Sequence, residues 1–114
     1  MDGADEEWPP AASRLTSALW LAEGHLERRE FVAAARVLER ARGLGEDALI
    51  AGLHHLAAAG CRAQTGDLAR ARRQLGHAGR RLEPYLPEHR GIELRPLLDV
   101  TAEVVESAGD GELA

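Results

Sequence analysis

Residues 49–61, LIAGLHHLAAAGC, decide the fold. Leu49, Leu53, Leu56 and Gly60 recur at spacings of three and four, the period of one helix face. Ile50, Ala51, Ala57, Ala58 and Ala59 extend the apolar character nearly all the way round. A surface helix carries one apolar stripe, whereas a helix apolar on all sides sits at the centre of a bundle. Acid at Glu46 and Asp47 suits the positive end of such a helix, and Thr65-Gly66-Asp67 breaks it and caps the next.

Outward from this helix the pattern stays helical. Leu15, Leu19, Ala22 and Leu26 mark one helix from about Ser13, a suitable N-cap, to Arg28. Phe31, Ala34, Ala35, Leu38 and Ala41 mark a second from about Glu30 to Arg42, ended by Gly43-Leu44-Gly45. Leu68, Ala71, Leu75, Ala78 and Leu82 mark a fourth. Leu68, Leu75 and Leu82 are expected to be buried against Leu53 and Leu56. A short final helix is expected after Arg95, with Pro96 in its first turn and Leu97, Thr101 and Val104 on one side, Leu98 and Val105 beside them. No segment shows the alternation of a strand. The expected fold is all-α: a compact bundle of about five helices, arranged as two helical hairpins plus a short C-terminal helix. Residues 13–107 are expected to form the one domain, with a disordered acidic tail at 1–12 containing Trp8 and a flexible tail at 108–114.

Between the fourth and final helices, Pro84 and Pro87 forbid helix. The spacing predicts an ordered corner over Tyr85–Leu94 that docks Ile92 or Leu94 into the core, with Gly91 at positive φ. REFVAAARVLERA (29–41) and GDLARARRQLGHA (66–78) also align at an offset of 37 residues. The unit resembles the helix-turn-helix of tetratricopeptide repeats.

Composition narrows the function. The 114 residues suit one domain, and a single cysteine, Cys61, excludes an intramolecular disulfide. With no secretory leader or membrane-length apolar run, the expected location is cytoplasmic. A net charge of -5 argues against general nucleic-acid binding. Yet all 14 basic residues are Arg, and six of them fall between Arg62 and Arg81 against one acid, Asp67. Arg70, Arg73, His77 and Arg80, with Arg81 beside them, share a face of the fourth helix. That face is a candidate for a partner's carboxylates or phosphates, set against the commoner alternative of a solvated face paired with the chain's own acids.

His54, His55, Glu39 and Cys61 are the candidate metal ligands. Adjacent histidines diverge by about 100° on a helix. Ligand pairs on one helix need spacings of three or four, and those positions hold Ile50, Ala58, Ala51 and Ala59. Cys61 lies about 11 Å along the axis from His54, too far to share a zinc. A metal site would require Glu39, His25 or His77 from other helices. The packing alternative places one histidine at a helix interface with a hydrogen-bond partner and the other near solvent, with Cys61 as a small buried hydrophobe. No phosphate loop and no nucleophile constellation occurs, and no cofactor is implied.

Three segments carry a resemblance: REFVAAARVLERAR (29–42), IAGLHHLAAAGCRAQTGD (50–67) and EPYLPEHRGIELRPLL (83–98). Together they resemble a divergent member of the family called domain of unknown function 309, some members of which carry the label of metal-dependent hydrolase. What the resemblance implies is mixed. Where the family has His, Glu and Trp, this chain has Ala35, Arg36 and Arg42. Its two Gln correspond to Ala51 and His55, and its paired His to Cys61 and Arg62. Only Glu39 matches. The reading is therefore of a non-catalytic helical domain acting through contacts with a protein partner or another copy of itself. The alternatives are a hydrolase with a site rebuilt around His54, His55 and Glu39, and polyanion binding through the Arg70–Arg81 face.

Overall fold

Two chain reversals with the same local geometry organise the first four helices. The structure, a computed structural model, describes residues 11–113. Helix α1 (Ala11–Glu27) and α2 (Phe31–Arg40) form one hairpin, and α3 (Asp47–Gln64) and α4 (Leu68–Leu82) form the other. In each reversal the second linking residue is left-handed, Arg29 at φ 63° and Gly66 at φ 87°. The next residue caps the following helix with nearly the same angles: Glu30 at φ -92°, ψ 69° and Asp67 at φ -88°, ψ 76°. Glu30 N–H donates to His25 O and Asp67 N–H to Arg62 O, at 2.8 and 2.9 Å. The echo in the sequence is thus a repeated turn. The two copies differ in their caps: Asp67 accepts from Arg70 N–H at 3.2 Å, whereas the Glu30 carboxylate turns back to His25 and Arg28.

Helix α3 lies at the centre, packed against α2, α4 and the last helix, α5 (Leu94–Leu113). Its glycines are the docking points. A Cβ on Gly60 would lie 2.2 Å from Phe31 Cγ, and one on Gly52 would lie 2.7 Å from Leu82 Cδ2. A core poor in aromatics gains its contact area by such close approach of backbones. Leu49, Leu53, Leu56, Ala57 and Leu82 are buried with Leu15, Leu19 and Leu26 of α1. A smaller cluster of Ala63, Leu68, Ala71 and Val105 seals the far end against α5. Leu75 is half-buried between the two clusters, less enclosed than its neighbours Leu68 and Leu82.

After a 3₁₀ turn at Glu83–Tyr85, two short antiparallel strands, β1 (Glu88–His89) and β2 (Ile92–Glu93), form a hairpin. Its turn residues Arg90 and Gly91 have φ of 55° and 80°, the primed turn that matches strand twist. Ile92 and Leu94 are buried, as the corner reading expects. Arg90 reaches Thr16 of α1 at 2.8 Å, Glu93 N–H donates to Glu23 at 3.3 Å, and His89 donates to Glu46 at 2.6 Å.

The structure departs from the expectations at the ends. Ala11, Ala12 and Ser13 are already helical, so Ser13 is not an N-cap. Residues 1–10 of the acidic tail, Trp8 among them, lie outside the described residues. Helix α5 is 20 residues long rather than short, and it runs to Leu113, past residue 107 where the sequence reading closed the domain. Its buried side is Leu94, Leu97, Thr101 and Val105, with Leu98 and Val104 half-buried, so Val105 rather than Val104 continues the face of Leu97 and Thr101. The buried Thr101 hydroxyl donates to Leu97 O at 2.9 Å, which removes the cost of an orphaned polar group. The two-residue strands escaped the sequence reading because alternation cannot register over so short a run. Among the described residues no helix is long and apolar enough to cross a membrane.

Candidate functional site

The two histidines of α3 take different environments, as their 100° separation requires. His55 turns toward α4, where its Nδ1–H donates to Gln74 Oε1 at 2.6 Å. Its ring lies 5.4 Å from that of His77, tilted by 37°. Arg80 donates to His77 Nδ1 at 2.9 Å, which leaves the proton of a neutral His77 on Nε2. Partial burial, then the charges of Arg80, His55, Arg81 and Arg73, hold His77 below the usual histidine range. Around the ring pair these three arginines form one cationic face.

Among the described residues no carboxylate lies within 4.0 Å of Arg73, Arg80 or Arg81. Arg70, from the same predicted stripe, is instead turned back to Asp67 at 3.5 Å in an exposed pair one helical turn apart. Among the described residues, the alternative of pairing with the chain's own acids therefore holds within this face for Arg70 alone.

His54 turns the other way. It is half-buried in a cavity of about 410 Å³ lined by Arg42, Asp47, Ile50, Ala51 and His55. Burial first, then the Arg42 charge, depress its basicity; Glu39 opposes them, and His55 adds a lesser lowering effect. A guanidinium beside a histidine disfavours a bound cation there. Glu39 is exposed on α2 and acts on His54 through its field. His25 is occupied by Glu30 at 2.7 Å, at the α1–α2 reversal. Cys61 is half-buried against the core, closer to solvent than a buried hydrophobe, and burial pushes its thiol up, away from the reactive thiolate. Among the described residues no three His, Cys, Asp or Glu side chains are grouped to hold a metal.

Gln74 and Asp47 were not singled out by sequence reasoning. Gln74 stands three residues before His77 on α4, a spacing that places both on one face and was available as a signal. Asp47 was read only as a helix-terminal acid. Its place opposite Arg42 depends on the Gly43–Gly45 loop, where φ is 84° at Gly43 and 130° at Gly45, and helical periodicity does not encode that path. Compared with family models, curated proteins and solved structures, the chain matches none.

Proposed function

We propose that this protein is a non-catalytic helical module, a divergent member of the domain of unknown function 309 family, that acts by binding an acidic segment of a partner protein. The observation that carries the binding is the face of Arg73, Arg80 and Arg81 around His55 and His77, with no carboxylate of the described residues within 4.0 Å of the three guanidinium groups. Like charges gathered on one side of a helix repel one another when no carboxylate offsets them. Carboxylates from outside relieve that repulsion, and the fork of Arg accepts them two oxygens at a time. The hydrogen bonds from His55 to Gln74 and from Arg80 to His77 hold the face in place before a partner arrives. Family membership is supported by the location of departures: Arg42, Ala51 and His55, which stand where the resemblance puts Trp and two Gln, line one cavity.

The test is a fluorescence-anisotropy titration of the full chain against a labelled glutamate-rich peptide, beside a DNA duplex of the same charge. Arg73→Glu/Arg80→Glu/Arg81→Glu should weaken peptide binding by at least about tenfold while circular dichroism stays helical. Equal peptide binding by the variant would overturn the proposal. Tighter binding to duplex than to peptide would replace it with the polyanion reading.

A further inference from the structure

The cavity beside His54 holds one cation, Arg42, and one anion, Asp47, yet neither pairs with the other or with any other charged side chain within 4.0 Å among the described residues. Both are exposed, whereas Ile50 between them is buried and Ala51 half-buried. On α3, Asp47, Ile50, Ala51 and His54 follow spacings of three, one and three, a single face. The carboxylate at one end and the imidazole at the other are thus about 10 Å apart along the axis. Arg42 enters from the end of the α2 segment, and its charge acts on His54, which identifies the His54 end as the positive one.

A plain anion would satisfy Arg42 and face Asp47 with like charge; a plain cation would do the reverse. A dianion such as phosphate would add to the mismatch. The pair is matched by a net-neutral molecule with separated charges and a hydrocarbon middle. The cavity volume, about 410 Å³, falls in the range of small-molecule sites.

We propose that this cavity binds a small zwitterion of the ω-amino-acid type, with its carboxylate on Arg42 and His54, its methylenes over Ile50 and Ala51, and its ammonium on Asp47. His54 in its neutral form contributes a ring N–H to the carboxylate without adding charge. The site does not depend on the α4 arginines or on the partner-binding reading; it shares only His55 with that face.

The experiment is calorimetric titration of the full chain with glycine, 4-aminobutyrate, 6-aminohexanoate, hexanoate, hexylamine and inorganic phosphate, each at millimolar concentration. We expect the longer amino acids to bind, glycine to fail because it cannot span the floor, and hexanoate and hexylamine to bind at least about tenfold more weakly than 6-aminohexanoate. Arg42→Gln and Asp47→Asn should each lower amino-acid affinity by a similar factor. Both replace exposed side chains, so thermal unfolding should confirm that the variants are folded. Hexanoate or phosphate binding as tightly as the amino acid, affinity unchanged in both variants, or no heat from any of the amino acids would overturn the proposal.

Discussion

At Gly60 the missing side chain sets how closely α2 can approach α3. An alanine there has two opposing effects. Helix propensity favours it by about 1 kcal/mol, but the new methyl would overlap the ring atoms of Phe31, one of the largest fully buried side chains. A buried aromatic cannot swing aside as a flexible chain end can. We therefore expect Gly60→Ala to lose about 1–3 kcal/mol net in chemical denaturation. Gly79→Ala is the internal contrast: nothing lies within 4 Å of its Cβ position, so only propensity acts and stability should rise by about 0.5–1 kcal/mol. A stabilised Gly60→Ala would mean that the α2–α3 contact is looser than described. Residue-level titration gives a second prediction. His54 is held below the ordinary value of 6.5, mainly by burial. As pH falls through 6.5 the unfolded chain takes up a proton before the folded one, so the stability from a neutral His54 is full above 6.5 and declines below it. On acidification from about pH 7.5 to about pH 5.5, the wild type should lose more stability than His54→Gln. An NMR midpoint for the ring at or above 6.5 would contradict this. His77 shifts in the same direction, so the single variant is needed to separate the two.

Among the elements, α3 was legible because its apolar residues exceed what one face needs, and burial from Leu49 to Ala63 follows that excess. The 37-residue echo was legible in its apolar positions, Phe31 with Leu68 and Ala34 with Ala71, and the same turn geometry repeats with it although the caps differ. Leu75 follows the same periodicity as Leu82 but is only half-buried, since it falls at the seam between two clusters; that seam depends on where α5 crosses, and α5 is remote in sequence. The end of α5 was misjudged because Gly109 and Gly111 in AGDGEL signal a tail by local propensity. Gly109 is nevertheless buried, and a Cβ there would meet Arg72 at 3.1 Å. The hairpin corner gives the prediction at this scale. Gly91 has φ 80° with open space around its Cβ position, so the cost of an alanine is purely conformational, about 1 kcal/mol. Gly91→Ala should lower stability by that amount, while Gly91→Asn, which tolerates the left-handed region, should lose less. Equal losses for Ala and Asn would place the strain elsewhere.

Across the whole molecule the site was only partly legible. Helical spacing foretold that His54 and His55 diverge and that Arg73, Arg80 and Arg81 share a side. The hydrogen bond of His55 to Gln74, and the placing of the unpaired Arg42 and Asp47 around one cavity, arise from the packing of α3 against its neighbours and from a loop path, neither of which a period of 3.6 residues contains. The resulting picture is of a histidine-bearing helix that packs through its glycines, with arginines of α4 and of the α2–α3 loop standing beside its histidines. Elemental analysis of untagged protein by mass spectrometry, without added metal or chelator, separates this picture from a metal site most directly. We predict zinc, manganese and iron each well below one atom per chain, because Arg42 stands beside His54 and Gln74 holds His55 Nδ1. Close to one atom per chain, lost in His54→Ala or His55→Ala, would contradict the account and restore a metal site.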